Sequence, residues 1–256
     1  IDEVDITRLE AVRSALLASN PGTVINVAAF TDVDGCESAE EKAFEVNAQG
    51  PAHLAAVCSE LESALVHIST DYVFNGLKRG AYQEDDAINP LGVYGRSKAQ
   101  GEKFVRDILP QDHCIIRTEW LYGLNGKNFV ATMLDVGRTR DVLTVVDDQR
   151  GAPTYTQDLA VALLDLCRHG GLGTFHVTNS GETTWCGFAR RIFQKAGMTS
   201  VHVEPITTEQ LGRPAPRPQN SVMDNSRFSQ LTGTSLRHWE EALDDYLRAR
   251  GIVPLC

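Results

Sequence analysis

The sequence predicts an α/β fold in which helices cover both faces of a doubly wound parallel sheet, with a smaller lobe toward the C-terminus. Short apolar segments suited to buried strands, at residues 24–29 and 64–68, alternate with helical patterns at 8–19 and 51–61. This alternation favours parallel strands joined by right-handed helical crossovers. A proline-rich link at 212–218 cannot be a central strand or a helix interior.

The first predicted helix begins after Thr7, which can cap it, and ends at the Asn-Pro-Gly sequence of residues 20–22. Elements predicted after residues 24–29 are helices over 38–46, 51–61, 93–107, 125–136, 158–167, 183–196 and 235–250 and strands over 64–68, 113–121, 143–146 and 174–178. Composition shifts after Gly170. We therefore expect a domain boundary near residue 170.

The bulk composition excludes several classes of protein. The net charge of −10 argues against non-specific binding to nucleic acid or to an anionic membrane. The six cysteines are scattered without a Cys-x-x-Cys pair, and no histidine spacing fits a metal site. No long apolar segment or charged-then-apolar leader is present, which predicts a cytoplasmic protein.

One helix start carries a chemically useful pair, Tyr94 and Lys98, at positions i and i+4. A nearby ammonium would favour the phenolate and lower the tyrosine pKa from about 10. Ser69 and Thr70 end a predicted parallel strand, where ligands of open α/β sheets bind. A carbonyl oxygen could therefore meet Thr70 and Tyr94 together. The alternative is an exposed helix start with a salt-bridging lysine.

The segments Ser-Thr-Asp-Tyr-Val-Phe at 69–74 and Tyr-Gly-Arg-Ser-Lys at 94–98 resemble those of the extended short-chain dehydrogenase/reductases. The resemblance is closest to the dTDP-4-dehydrorhamnose reductase family and runs from Asp5 to about Tyr246. It implies a Rossmann-type fold, with a dinucleotide-binding domain over 1–170 and a mainly substrate-binding lobe over 171–256 to which some earlier loops contribute. It also implies an NADPH- or NADH-dependent reduction of the C4 keto group of dTDP-4-dehydro-L-rhamnose. A dTDP-sugar would be the small-molecule partner, and the resemblance also allows a homodimer and a bound Mg²⁺.

The resemblance also implies roles for individual residues. Tyr94 would protonate the developing alkoxide, Lys98 would lower the Tyr94 pKa and hold the nicotinamide ribose, and Thr70 would hydrogen-bond the sugar oxygen. The implied cofactor-binding residues are Asp5, Ile6, Ala29, Phe30, Thr31, Ser69, Tyr94 and Lys98. The implied substrate-binding residues are Thr70, Asp71 and Trp120, and Arg213 and Arg217 are candidates for the diphosphate. Glu119 departs from the family, which has serine there.

The sequence lacks the Gly-x-x-Gly-x-x-Gly loop that holds the cofactor pyrophosphate in this family. We therefore interpret it as missing roughly the first strand, first helix and second strand. The residues that separate NADH from NADPH would lie there, so the choice between them stays open.

Two other functions fit part of the pattern. The regulatory subunit of methionine adenosyltransferase is similar and keeps the tyrosine and lysine, but residues 117–120 and 148–149 are closer to the reductase. A nucleotide-sugar epimerase or dehydratase is the second alternative. A dehydratase usually has an Asp-Glu pair beside the hydroxyls, whereas Thr70 is followed by Asp71 and Tyr72.

Overall fold

The computed structural model describes residues 4–253 and shows the expected α/β architecture. The helices are α1 Leu9–Ser19, α2 Val33–Ser38, α3 Glu40–Phe44, α4 Gly50–Glu60, α5 Val93–Ile108, α6 Phe129–Gly137, α7 Thr156–Arg168, α8 Trp185–Lys195, α9 Thr208–Leu211, α10 Ser226–Thr232 and α11 Trp239–Ala249. The strands are β1 Thr23–Asn26, β2 Ala64–Thr70, β3 His113–Thr118, β4 Leu121–Tyr122, β5 Val142–Val146, β6 Arg150–Gly151, β7 Thr154–Tyr155, β8 Gly173–His176, β9 Thr183–Thr184 and β10 His202–Ile206. A π-helical turn covers Glu45–Gln49, and a 3₁₀ turn covers Asp71–Val73.

The main sheet contains four parallel strands in the order β1-β2-β3-β8. Alternate residues of β2 face opposite sides of this sheet, as the two-residue period of a strand requires. Leu65 packs against α1, α4 and α5, whereas Val66 packs against α7 and α10. Helices therefore cover both faces, and the carboxyl ends of β2 and β3 meet at one edge.

The smaller lobe is built around a two-stranded parallel sheet of β5 and β10. Helix α8 packs on this sheet through Phe193 and Ala189, and its other side joins an aromatic core with α6 and α11. Strand β8 follows residue 170 in the chain but belongs to the main sheet. Strand β5 precedes residue 170 but belongs to the two-stranded sheet of the smaller lobe. The functional division at residue 170 stays a prediction.

Most predicted elements are present, with differences that have local causes. Thr7 does not cap α1, because its hydroxyl donates to Asp5 and Arg8 occupies the cap position. The strand predicted over 113–121 is interrupted after Thr118, and Trp120, with a φ of 48°, lies between β3 and β4. The helix predicted over 38–46 is interrupted at Ala39 and continues as the π-helical turn.

Candidate active site

The predicted catalytic residues meet where β2 ends and α5 begins. Tyr94 lies in the first turn of α5, and the Thr70 hydroxyl at the end of β2 is close enough to the phenol to act on the pKa of Tyr94. Its ring packs edge-on against Tyr72, with 5.3 Å between ring centroids. Gly95 permits this approach, because a Cβ there would lie 2.2 Å from the Tyr72 carbonyl oxygen. The structure therefore brings Thr70 and Tyr94 together, as the sequence predicted.

The electrostatic environment of Tyr94 differs from the expectation. Burial raises the pKa of Tyr94 above its ordinary value, the interaction with Thr70 partly offsets this, and Asp71 adds to it. Lys98 is not among the groups that shift this pKa. The expected lowering by Lys98 is thus wrong for this arrangement, because desolvation of the phenol outweighs the effect of an ammonium directed elsewhere.

That ammonium is directed toward the sheet. Lys98 is only 2 % exposed, and its Nζ donates to the Ile68 carbonyl oxygen at 2.6 Å. Burial lowers the pKa of Lys98 to about 8, and the Glu102 carboxylate, one turn farther along α5, opposes this shift. Lys98 is therefore a buried amine that gains or loses its charge close to neutral pH.

Glu102 is a buried carboxylate that the sequence analysis did not single out. It accepts hydrogen bonds from the Ser69 hydroxyl at 2.6 Å and from Arg117 Nε and Nη2 at 2.9 and 2.8 Å. Arg106 adds a longer ion pair at 3.1 Å. Despite burial, hydrogen bonds from Arg117 hold the pKa of Glu102 below its usual range. This network fixes α5 to β2 and β3. It also gives Ser69, predicted to bind cofactor, a structural partner.

Asp71 lies beside Thr70 and Tyr94 and is 2 % exposed. Thr70 Oγ1 donates to its Oδ1 at 2.9 Å, and the Ser221 hydroxyl donates to its Oδ2. Burial raises the pKa of Asp71 to about 6, although both hydrogen bonds act in the opposite direction. Ser221, distant in sequence, was not predicted as part of the site.

A second buried carboxyl, Glu119, lies near Asp71. Thr70 pairs with Thr118 across β2 and β3, so Asp71 and Glu119 follow paired residues at the same edge of the sheet. Neither carboxyl oxygen of Glu119 has a hydrogen-bond partner within the described structure. Burial, with the Asp71 charge as a second cause, raises the pKa of Glu119 well above its usual range. The site therefore contains a second buried carboxyl beside Asp71, an acidic pair that adjacent sequence does not reveal.

Trp120, the predicted sugar contact, stacks on Trp185 from α8, with 3.7 Å between ring centroids and 13° between ring planes. Its φ of 48° is a left-handed conformation that a bulky residue rarely adopts. Gly151 lies close beneath it, since a Cβ there would approach both the indole and Glu119 Oε2. Trp185 was missed, because an aromatic residue at a helix start usually belongs to the core.

A cleft of about 610 Å³ lies between the carboxyl edge of the sheet and the smaller lobe. Tyr72, Trp185, Gln149, Arg213 and Arg217 contribute to its lining. Both arginines contact one carboxylate on α2. Asp34 lies 3.0 Å from Arg217 Nη2 and 3.4 Å from Arg213 Nη1.

The segment after β1 also reaches this edge. Phe30 is held by Asn47, whose side chain accepts from the Phe30 amide at 2.8 Å and donates to its carbonyl at 3.0 Å. Thr31 lines the cleft, whereas Ala29 is half-buried beside it. The predicted adenine contacts lie elsewhere: Asp5 accepts from Thr7, and Ile6 packs near Gly50. Their cofactor roles stay predictions.

Across residues 4–253, no group of three His, Cys, Asp or Glu side chains is arranged to hold a metal ion. The Mg²⁺ allowed by the resemblance stays a prediction. The same residues contain no helix of the length and apolarity that a membrane crossing requires.

Comparison with known proteins is consistent with this geometry. The family model described as RmlD substrate binding domain matches residues 1–251. The chain belongs to this family. A dTDP-4-dehydrorhamnose reductase from Streptomyces griseus is 44 % identical over 247 residues, which cover 94 % of this chain and 81 % of that protein. Spore coat polysaccharide biosynthesis protein SpsK from Bacillus subtilis is 42 % identical, and the match covers 96 % of this chain and 86 % of that protein.

Solved structures of the RmlD family superpose closely. A dTDP-4-dehydrorhamnose reductase from Clostridium acetobutylicum has a TM-score of 0.93 at 43 % identity, covering 97 % of this chain and 88 % of that one. The Bacillus anthracis enzyme in complex with NADP has a TM-score of 0.93 at 38 % identity, covering 96 % and 87 %. A dTDP-glucose 4,6-dehydratase from Streptomyces venezuelae, with a TM-score of 0.79 at 20 % identity and coverage of 95 % and 77 %, shares the fold.

Proposed function

We propose that this protein reduces the C4 keto group of dTDP-4-dehydro-L-rhamnose to give dTDP-L-rhamnose. The observation that carries the proposal is the meeting of Thr70 and Tyr94 at the carboxyl edge of the sheet, in a chain of the RmlD family. At that edge Thr70, Asp71 and Tyr94 lie close together, and a sugar carbonyl bound there would gain a proton. The relatives named as dTDP-4-dehydrorhamnose reductases support the same substrate.

Reduction needs a hydride, which NADPH or NADH would supply to C4 when bound. The residues present fit the nicotinamide-ribose end of such a cofactor. Lys98 offers a buried ammonium one turn after Tyr94. Within residues 4–253 its one hydrogen bond goes to Ile68, so two of its three donors have no partner in that part of the chain. Ala29, Phe30 and Thr31 would lie along the cofactor.

The chain's own groups account for proton transfer. The Tyr94 hydroxyl would protonate the C4 oxygen as negative charge develops there, and Thr70 would orient that oxygen. A phenol whose pKa is raised stays protonated at neutral pH, which is the form that donates. The role of Lys98 would then be to hold the ribose.

The cleft suits the nucleotide portion of the substrate. Trp120, buttressed by Trp185, would pack against the sugar, and Arg213 and Arg217 would approach the diphosphate. The residues before 170 would mainly hold the cofactor, and those after it would mainly hold the dTDP-sugar, with Thr31 and Trp120 contributing from the earlier part.

The test is turnover of dTDP-4-dehydro-L-rhamnose with NADPH and with NADH, followed by loss of reduced cofactor. NMR of the product, after reduction with deuterated cofactor, should place one deuterium at C4 of rhamnose. Calorimetric titration of each nucleotide measures binding separately. A protein that binds both ligands yet yields no rhamnose would refute the proposal.

A further inference from the structure

The hydroxyl of Thr70 links two acids, and its single hydrogen can serve only one of them at a time. In the structure Thr70 Oγ1 donates to Asp71 Oδ1 at 2.9 Å, and the same hydroxyl lies near the Tyr94 phenol. The Tyr72 amide donates to Thr70 Oγ1 at 3.2 Å. With Asp71 ionised, Thr70 therefore cannot donate toward Tyr94.

Protonation of Asp71 reverses this chain of hydrogen bonds. A protonated carboxyl has one O–H donor, which can point to Thr70 Oγ1 and release the Thr70 hydrogen toward Tyr94. Thr70, Asp71 and Tyr94 then form a continuous path from a carboxylic acid to the catalytic phenol. Thr70 and Asp71 are 5 % and 2 % exposed, so bulk water is largely excluded from the carboxylic-acid end of this path.

We propose that Asp71 is the proton store for Tyr94, to which it returns a proton through the Thr70 hydroxyl after each reduction. This rests on the proposed function. Tyr94 gives its proton to the C4 oxygen that hydride addition has made anionic. The phenolate takes the Thr70 hydrogen, and Thr70 takes the Asp71 hydrogen. One O–H bond breaks and one forms at each transfer, and Asp71 regains a proton from solvent between turnovers.

The surroundings of Asp71 favour its protonated form. The titratable groups that interact with it are Tyr72, Tyr94 and Glu119, and none of these provides a positive charge. Ser221 is its hydrogen-bond donor from the segment after the proline-rich link. Burial raises the pKa of Asp71 to about 6, although the hydrogen bonds from Ser221 and Thr70 act in the opposite direction. An acid with such a pKa can both release and regain a proton near neutral pH.

The relay predicts the sign of a pH dependence. Protonated Asp71 is the active form, so the rate of reduction should fall as pH rises through about 6. An Asp71 that only binds substrate as a carboxylate would give a rate that rises over the same range. Asp71→Asn cannot release a proton. It should lower kcat by about 10-fold or more and leave KM within about threefold. It should also abolish the falling limb of the pH profile, that is, the decrease in rate as pH rises.

Ser221→Ala provides a second, milder variant. It removes a hydrogen bond that stabilises ionised Asp71, so the pH at which the rate falls should be higher than in the wild type. At pH values below that fall, kcat should be retained. Asp107→Asn, an exposed change on α5, is the matched control and should leave the profile unchanged. Carboxyl ¹³C NMR of the cofactor-free protein provides a readout that does not depend on activity. The Asp71 signal should titrate near pH 6 and move upward in Ser221→Ala.

The outcomes separate two failures. A wild-type protein that binds NADPH but does not reduce the keto-sugar contradicts the proposed function, whatever the NMR titration shows. An active protein whose Asp71→Asn variant keeps the falling limb, or whose rate rises with pH, contradicts only the relay. The pKa of Asp71 is about 6, so its signal should titrate between pH 5 and pH 7. The absence of any titration in that range would also overturn the relay.

Discussion

Glu102 on α5 and Arg117 on β3 form a two-point ion pair inside the protein, at 2.9 and 2.8 Å. Glu102 is fully buried and Arg117 is 3 % exposed. The Ser69 hydroxyl completes the coordination of the carboxylate. The helix that carries Tyr94 and the strand that ends at Thr70 are thus tied together directly below the site.

Removal of one partner should be costly. Glu102→Gln leaves the Arg117 guanidinium buried without its counter-charge, so the free energy of unfolding should fall by about 3–5 kcal/mol. Urea denaturation measures this change. The control is Asp107→Asn, which breaks an exposed pair with Lys103 on the same helix and should cost about 0.5 kcal/mol or less. Equal losses in the two variants would show that the buried network contributes no more to the free energy of unfolding than an exposed ion pair does.

Tyr94→Phe should lower turnover of the keto-sugar by about 10²–10⁴-fold, because it removes the proton donor while keeping the ring. KM should change little, since the edge-on contact with Tyr72 survives. Steady-state kinetics with NADPH provides both numbers. Tyr72→Phe is the matched comparison, because it removes the neighbouring hydroxyl. Comparable losses in kcat from both variants would contradict the assignment to Tyr94.

The lowered pKa of Lys98 predicts a pH dependence of stability. The native amine titrates at about 8 and the unfolded amine near 10.5, so between these values the unfolded chain binds more protons. Stability due to this group therefore rises with pH across that window. Relative to Lys98→Met, the wild type should gain about 1–3 kcal/mol in unfolding free energy from pH 8 to pH 10.5. A constant difference between the two proteins would mean that burial does not lower this pKa.

Trp185→Leu should weaken substrate binding more than it slows chemistry. The change removes the stacked partner that supports Trp120 in its left-handed conformation. We expect KM for the dTDP-sugar to rise about 3- to 10-fold, which corresponds to the usual worth of an aromatic pair. Trp185→Phe keeps a ring and should lie between the wild type and Trp185→Leu. A fall in kcat with an unchanged KM would oppose this role.

The contact between Asp34 and Arg217 gives two changes of opposite sign. Arg217→Ala removes a guanidinium from the cleft and should weaken dTDP binding by about 10-fold. Asp34→Asn removes the negative charge that the arginine contacts at 3.0 Å, so dTDP affinity should increase. Calorimetry at low and high salt measures both effects. If both variants weaken binding equally, the pair serves to hold the proline-rich link rather than to bind the diphosphate.

The order of strands and helices, and the placement of Tyr94 near Thr70, could be predicted because they depend on local periodicity. Residues four apart on a helix share a face, and parallel strands end at the same edge of a sheet. The sequence did not indicate where the Lys98 ammonium points, since its partner is a carbonyl oxygen thirty residues away in sequence. It also missed β10, which pairs with β5 across a long separation.

By itself the sequence determined the α/β class and the family, and it predicted Tyr94 as the catalytic residue, because short segments carry those patterns. Only the tertiary structure decided which charges are buried together. Asp71 accepts a hydrogen bond from Ser221, 150 positions away, and it lies at the same sheet edge as Glu119 because β2 and β3 pair in a particular register. Burial then sets their protonation, since desolvation disfavours a carboxylate wherever its partners are too few. Such proximity and desolvation exist only after the chain has packed.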